Sequence, residues 1–173
     1  MTAKTSLVGI VLGSRSDVEH AKKISAILNE LDIPHEVTVA SAHRTPGDVS
    51  SYSLKAMDRG IRVIIAIAGL SAALPGVIAA HTLLPVIGVP VVSGSLAGLD
   101  ALLSITQMPP GVPVASVGIN GSRNAALLAA RMISQSDEKT FSRLTEWLKN
   151  QENKTKASRD ELEDLPKVPA DAF

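Results

Sequence analysis

Residues 6–12 read SLVGIVL, a run that is apolar almost throughout and stops at Gly13. A second run of the same kind, VIIAIA, occupies residues 63–68. Strands buried on both faces of a parallel sheet have continuous apolar runs, whereas half-exposed strands alternate. The two runs therefore predict central strands of a parallel β-sheet.

Strands and helices alternate on both sides of these runs. Three more strands are predicted at residues 35–40, 85–91 and 114–119. Helices are predicted at residues 16–31, 45–60, 74–82, 96–108, 121–135 and 137–153. The alternation predicts an α/β fold, namely a three-layer αβα sandwich around a doubly wound parallel sheet of about five strands. This is the flavodoxin-like or Rossmann-like architecture, here with a C-terminal helix and tail.

Two helix starts carry capping signals. Ser16 with Glu19 three residues later has the pattern of a capping box. Thr45 followed by Pro46 is typical of a cap and first helical position. We expect helices to begin at both places.

The length of 173 residues predicts one domain, which we place at residues 1–153. Residues 154–173 form a charged tail, since ten of the last 24 residues are charged. Two interpretations of the tail stay open: partial disorder, or an arm that packs on a neighbouring subunit. The arm would use four apolar side chains, Leu162, Leu165, Val168 and Phe173.

Composition excludes several classes of protein. The chain has no cysteine, so it has neither a disulfide framework nor a cysteine-based zinc site. Lysine plus arginine equals aspartate plus glutamate at 17 each, which gives no support for nucleic-acid binding. Four aromatic residues leave little material for stacking bases or a flavin. No signal peptide or membrane span is apparent, and we expect a cytoplasmic protein without a membrane partner.

Ligands of open parallel sheets bind beyond the carboxyl ends of the strands, so the loops that follow the strands are the places to search. These loops occupy residues 13–17, 41–46, 69–76, 93–98 and 120–124. Four of them combine glycine with small hydroxyl residues. Such loops present backbone N–H groups at helix starts, which favours the binding of anions.

The first two loops carry the most chemistry. Residues 13–17 match neither the dinucleotide fingerprint nor the P-loop. They are either a plain turn and cap, or a ligand site in which Ser14 contacts phosphate or sugar and Asp17 a ribose hydroxyl. In the second loop, Arg44 suits phosphate and His43 suits proton transfer near neutral pH. Surface residues on a turn are the alternative.

The other three histidines are interpreted as structural. His20 is expected to face solvent on the first helix, His35 to begin a strand, and His81 to lie near a helix end. Their spacing does not match a metal site.

Four motifs together resemble the aminoimidazole ribonucleotide carboxylase family of purine biosynthesis, whose bacterial form is the N5-carboxyaminoimidazole ribonucleotide mutase. They are GSRSD at residues 13–17, SAHRTP at 41–46, LPG at 74–76 with QMP at 107–109, and NAALLAA at 124–130. The resemblance runs from about residue 8 to residue 133. It implies a doubly wound sheet and a homo-octamer with active sites near subunit boundaries.

The resemblance also implies the roles of individual residues. His43 would transfer protons, with an aminoimidazole ribonucleotide-type substrate and carbon dioxide as intermediate or substrate, and with no cofactor or metal. The implied substrate-binding residues are Ser14, Ser16, Asp17, Ser41, Ala42, Arg44, Gly69, Ser71, Ala72, Ala73 and Leu74.

The loop after the third strand departs from the family pattern. The mutase type reads GGAAHLPG, and this chain reads GLSAALPG, so Ala73 stands where that type has a second histidine. Carboxylases that use carbon dioxide directly have a serine resembling Ser71, but they usually carry lysine where this chain has Arg44. The QMP motif follows the mutase type. Three interpretations stay open: mutase, direct carboxylase, and a non-catalytic nucleotide-binding or structural member of the family.

The predicted helix at residues 121–135 is apolar over most of its surface. A helix that is apolar on so many sides is usually buried on more than one face. We therefore expect part of it to contact another subunit.

Overall fold

The computed structural model describes residues 5–159, 161–162, 165–169 and 172, and its sheet confirms the predicted fold class. Five parallel strands lie in the order β2-β1-β3-β4-β5. The strands are β1 Val8–Leu12, β2 His35–Val39, β3 Val63–Gly69, β4 Val86–Val91 and β5 Ala115–Ser116. Every neighbouring pair is parallel.

Helices cover both faces of the sheet. They are α1 Val18–Glu30, α2 Pro46–Ala56, α3 Leu74–Ala79, α4 Leu99–Thr106, α5 Ser122–Ser134 and α6 Glu138–Ala157. One core lies between the sheet and α1, α5 and α6, and a second lies between the sheet and α2, α3 and α4. Ile10 of β1 belongs to the first core and its neighbour Val11 to the second. Strands buried on both faces explain the continuous apolar runs.

A polar contact fixes α2 against the edge of the sheet. The Tyr52 hydroxyl donates to Glu36 Oε1 at 2.8 Å, and the Arg59 guanidinium lies 4.8 Å from the centre of the Tyr52 ring and bonds the same carboxylate. Gly9 in β1 leaves room for this tyrosine, because a Cβ there would collide with its hydroxyl. The contact joins β2 to α2, the strand and the helix on either side of the loop that carries His43.

The capping box predicted at Ser16 is wrong. A short 3-10 turn, Arg15–Asp17, comes before α1, and Ser14 caps it by accepting from the Ser16 N–H at 3.3 Å. Asp17 then holds the N-cap position of α1. Thr45 lies at the N-cap of α2 as predicted, but its hydroxyl accepts from the Ser41 N–H at 2.9 Å instead of capping the helix.

Several predicted boundaries move. Helix α4 begins at Leu99 instead of residue 96, because Ala97 and Gly98 have φ values of 50° and 87°. Only Ala115–Ser116 of the predicted fifth strand pairs with β4. Helix α3 ends at Ala79, and α6 continues to Ala157.

His20 is only partly exposed, and its ring makes a contact that the prediction of a solvent-facing residue missed. Its Nδ1 lies 2.8 Å from the Oγ of Ser122, which begins α5 and is only 1% exposed. Burial lowers the pKa of His20, and the nearby Lys23 ammonium lowers it further. The hydrogen bond between His20 and Ser122 joins α1 to α5.

Part of the predicted C-terminal tail lies among the residues that the structure describes. Leu162, Leu165 and Val168 are exposed, and Phe173 lies outside the described residues. Packing of this segment on a neighbouring subunit stays a prediction. Within the part of the chain that the structure describes, no helix combines the length and apolar character needed to cross a membrane.

Candidate active site

A cleft of about 670 Å³ opens at the carboxyl edge of the sheet. The chain leaves β1 toward β2 on one side and later enters β3 on the other side of β1. The loops after β1 and β3 therefore diverge, and ligands of open α/β sheets bind at such a switch point. The loops after β1, β2 and β3 form most of the cleft.

All twelve residues predicted to bind or transform the substrate line this one cleft. They are Ser14, Ser16, Asp17, Ser41, Ala42, His43, Arg44, Gly69, Ser71, Ala72, Ala73 and Leu74. Gly13, Ala68, Leu70 and Ser93 also line it and were not among the predicted site residues. The loop after β5 does not contribute: Asn120 there accepts from the Val92 N–H at 3.1 Å, which is a structural role.

Asp17 is the buried carboxylate of the cleft. It is 7% exposed, and the Ser16 hydroxyl donates to its Oδ1 at 3.2 Å. Burial raises the pKa of Asp17, while hydrogen bonds from Ser16 and Ser14 and the charges of His20 and Arg44 pull it down. The carboxylate is an acceptor suited to the hydroxyl groups of a sugar.

Arg44 joins the first two loops of the cleft. Its Nη2 donates to the Gly13 carbonyl at 3.0 Å, and its Nε and backbone N–H donate to the Ser41 hydroxyl at 3.4 and 3.2 Å. The side chain is exposed, so donors of its planar fork stay available to a ligand. This position suits bidentate binding of a phosphate.

His43 lies beside Arg44 on a tight turn. The Thr45 N–H donates to the Ser41 carbonyl at 2.8 Å and closes that turn. The imidazole is exposed at the cleft and forms no hydrogen bond with any residue that the structure describes. Both ring nitrogens are therefore free to exchange a proton with a bound molecule.

The loop after β3 forms an apolar wall. Ala72 and Leu74 are buried, and Ala73 is half-buried beside them. Gly76 in the LPG motif faces Met108 of the QMP motif so closely that a Cβ there would lie 3.0 Å from the Met108 Cε. The two motifs are thus one packing unit, and it holds the wall in place.

Clusters of histidine, aspartate or glutamate large enough to hold a metal ion are absent among the described residues. The histidines illustrate this: only His43 lines the cleft, while His35 and His81 bond to backbone carbonyls of Ile33 and Val77.

Replacing Asp17 by Asn is expected to stabilise the fold and weaken the site. A raised pKa means that the ionised carboxyl costs stability, and that cost grows as the pH rises through the folded-state pKa. D17N should therefore unfold at a higher temperature than the wild type at pH 7, with a smaller difference near pH 4. The affinity for a sugar ligand should fall about tenfold, because a charged acceptor is lost.

Thermal unfolding between pH 4 and pH 7 tests this expectation. The exposed Asp58 provides a matched control, and D58N should leave the unfolding temperature unchanged. A lower unfolding temperature for D17N at pH 7 would show that the buried charge stabilises the fold instead.

The fold and the cleft together define the class of protein. A doubly wound sheet whose switch point carries a cleft lined by hydroxyl groups, one buried carboxylate and an arginine is an α/β protein built to bind a polar small molecule.

Comparisons with known proteins then give the family. A family model described as AIR carboxylase matches residues 7–154. The N5-carboxyaminoimidazole ribonucleotide mutase of Bacillus subtilis is 52% identical over 158 residues, which cover 90% of this chain and 98% of that protein. The mutase of Pyrococcus horikoshii is 47% identical over 95% of this chain and 93% of its own length. The chain belongs to the AIR carboxylase family.

Two further similarities complete the comparison. The phosphoribosylaminoimidazole carboxylase of Saccharomyces cerevisiae is 49% identical over 91% of this chain, although the match covers only 28% of that longer protein. The crystal structure of Treponema denticola PurE superposes with a TM-score of 0.82 at 34% identity, covering 91% of this chain and 99% of that one. The resemblance seen in the sequence motifs is thereby confirmed.

Proposed function

We propose that the chain converts N5-carboxyaminoimidazole ribonucleotide into 4-carboxyaminoimidazole ribonucleotide in purine biosynthesis. The relatives named as mutases match it over most of both chains. Carbon dioxide is released inside the cleft and recaptured there, and His43 acts as the general acid and base.

The division of the cleft into two walls carries this proposal. The Asp17 carboxylate, the Arg44 guanidinium and most of the hydroxyl groups come from the loops after β1 and β2, whereas the loop after β3 contributes mainly alanine and leucine, with the hydroxyl of the exposed Ser71. A ribonucleotide needs the first kind of surface for its phosphate and ribose. Carbon dioxide, which is small and uncharged, needs the second.

The first step breaks the bond between the exocyclic nitrogen and the carboxylate. Arg44 holds the phosphate, and Asp17 accepts hydrogen bonds from the ribose. Protonated His43 gives its proton to the nitrogen as carbon dioxide leaves. The apolar wall keeps this molecule beside the ring, and such proximity contributes several kcal/mol to the next step.

The second step forms the carbon–carbon bond. Carbon four of the imidazole attacks the retained carbon dioxide, and neutral His43 removes the ring proton to restore aromaticity. The proton given up in the first step is regained in the second, so the enzyme returns to its starting state without a cofactor.

A direct carboxylase, which takes carbon dioxide from solution and adds it to aminoimidazole ribonucleotide, is the second candidate. The match to the yeast carboxylase favours it, as does Ala73 in place of the second histidine of the mutase type. The same residues would act, with the first step left out.

The proposal includes a cytoplasmic homo-oligomer, an octamer as the resemblance implies. Leu127 and Leu128 on α5 are only half-buried and line a shallow depression with the exposed Leu148 of α6. Sedimentation at micromolar concentration is expected to show a closed assembly. A monomer under these conditions would contradict this part of the proposal.

Genetic complementation tests the function in a cell. A bacterial strain that lacks its own mutase requires purine, and expression of this chain is expected to restore growth without it. The mutase should do so in ordinary air, whereas the direct carboxylase should require elevated carbon dioxide. Failure under both conditions, with the protein present in soluble form, would favour the non-catalytic interpretation.

A further inference from the structure

Leu70 has a backbone conformation that leucine rarely adopts. Its φ is 56°, in the left-handed region, and it lies in the loop after β3. Bulky residues are genuine outliers there, and such strained residues concentrate at functional sites. Asparagine or glycine would fit the same turn more easily.

The strained backbone directs the Leu70 side chain toward the loop after β4. A Cβ at Gly94 would lie 2.8 Å from the Leu70 Cδ2, so the leucine rests directly on that glycine. Next to it, a Cβ at Gly69 would lie 3.1 Å from the Ser93 Cβ. The two loops therefore interlock at the side of the cleft where Leu70 stands.

Leu70 extends the apolar wall to the rim of the cleft. It lines the cleft with Ala72, Ala73 and Leu74, and 52% of its surface remains exposed to solvent. Ala72 and Leu74 are buried in the second core, so they present little surface to the cleft. Leu70 is thus the large apolar side chain of this loop that stands between the wall and water.

We propose that Leu70 is a positioning residue that closes the carbon dioxide compartment. The inference rests on the proposed function, in which carbon dioxide is either released in the cleft or taken from solution. An uncharged molecule has few hydrogen bonds to hold it, so its retention depends on how well the apolar wall blocks its escape. The mutase type has glycine at this position but a histidine where this chain has Ala73, so in this chain Leu70, in the absence of that larger side chain, supplies the barrier at the rim. The strain of its backbone is the cost of placing it there.

The test follows the fate of the substrate carboxylate. N5-carboxyaminoimidazole ribonucleotide with ¹³C in that carboxylate is supplied in buffer containing unlabelled carbon dioxide, and early product is analysed by mass spectrometry. The wild type is compared with Leu70→Gly and with the control Leu70→Met, which keeps a long apolar side chain. We expect L70G to lose the label several-fold more often than the wild type, and L70M to resemble the wild type.

Two further readouts separate this role from a merely structural one. L70G should unfold at the same temperature as the wild type or higher, because glycine removes the backbone strain. Its KM for the nucleotide should stay unchanged, because the groups that bind phosphate and ribose are intact. Label retention equal to that of the wild type would overturn the proposal.

The outcome for the wild type distinguishes the two hypotheses. If the wild type carboxylates aminoimidazole ribonucleotide directly, L70G should raise the KM for carbon dioxide several-fold, and an unchanged value would overturn the role of Leu70. If the wild type forms product from neither substrate, the proposed function fails, and the role of Leu70 fails with it.

Discussion

The substitution His43→Asn is expected to lower kcat by about 10²- to 10⁴-fold, the usual contribution of a positioned general acid and base. Asparagine fills similar space and keeps hydrogen-bonding groups, but it cannot carry a proton between nitrogen and carbon four. The Kd for the substrate should change little, because phosphate and ribose contacts come from Arg44 and Asp17. Steady-state kinetics and direct binding measurements on the same preparation check both expectations.

The control for this variant is His35→Asn. His35 begins β2 at the opposite edge of the sheet, and its Nδ1 contacts the Ile33 carbonyl at 3.0 Å. H35N should turn over at the wild-type rate. If H43N turned over as fast as H35N, the cleft would need another proton carrier, and the mechanism above would be wrong.

Arg44→Ala is expected to weaken substrate binding by about 10- to 100-fold, since a hydrogen bond to a charged group contributes about 1.5–3 kcal/mol. The substrate affinity of Arg44→Lys should lie between those of the wild type and Arg44→Ala, because lysine keeps the charge and lacks the planar fork. The guanidinium is held by the Gly13 carbonyl and the Ser41 hydroxyl before any ligand arrives, so its ordering costs little on binding. Isothermal titration with the nucleotide measures the effect.

Arg15 provides the comparison for charge alone. It is exposed on the same loop as Ser14 but does not line the cleft. R15A should weaken binding only slightly, and less so at high salt. An equal loss in R15A and R44A would mean that general electrostatic attraction, not the fork of Arg44, binds the phosphate.

The core of the fold could be predicted from the sequence because its signals are continuous. The boundaries of the runs at residues 6–12 and 63–68 agree with those of β1 and β3 to within a few residues. Both strands are buried on both faces, so the side chains along them must be apolar. The predicted fifth strand is longer than the observed one. Only two of its residues pair with β4, since an edge strand has a single neighbouring strand to stabilise it.

The failures of the prediction at helix starts have a local cause. Ser14 and Ser16 each have a hydroxyl group and an acidic residue a few positions later. The sequence therefore gives the same capping signal for both serines, which are two residues apart. The 3-10 turn at Arg15–Asp17 decides between them, and it makes Ser14 the cap. That turn also buries Asp17, which a cap at Ser16 would not have predicted.

Two contacts were missed because they are not local. His20 contacts Ser122, which lies 102 residues later in the chain, and no sequence pattern within α1 predicts this contact. Leu70 joins the cleft through a left-handed backbone conformation for which leucine gives no signal. The one available hint was the family pattern itself, since the mutase type has glycine at that position.

A paired assay for 4-carboxyaminoimidazole ribonucleotide tests the central claim most directly. One arm supplies N5-carboxyaminoimidazole ribonucleotide in buffer depleted of carbon dioxide, and the other supplies aminoimidazole ribonucleotide with abundant carbon dioxide. We predict rapid product formation in the first arm and little in the second, which would show that the cleft functions with Ala73 in place of a second histidine. Product in the second arm alone would contradict the mutase and establish the direct carboxylase, and no product in either arm would contradict catalysis altogether.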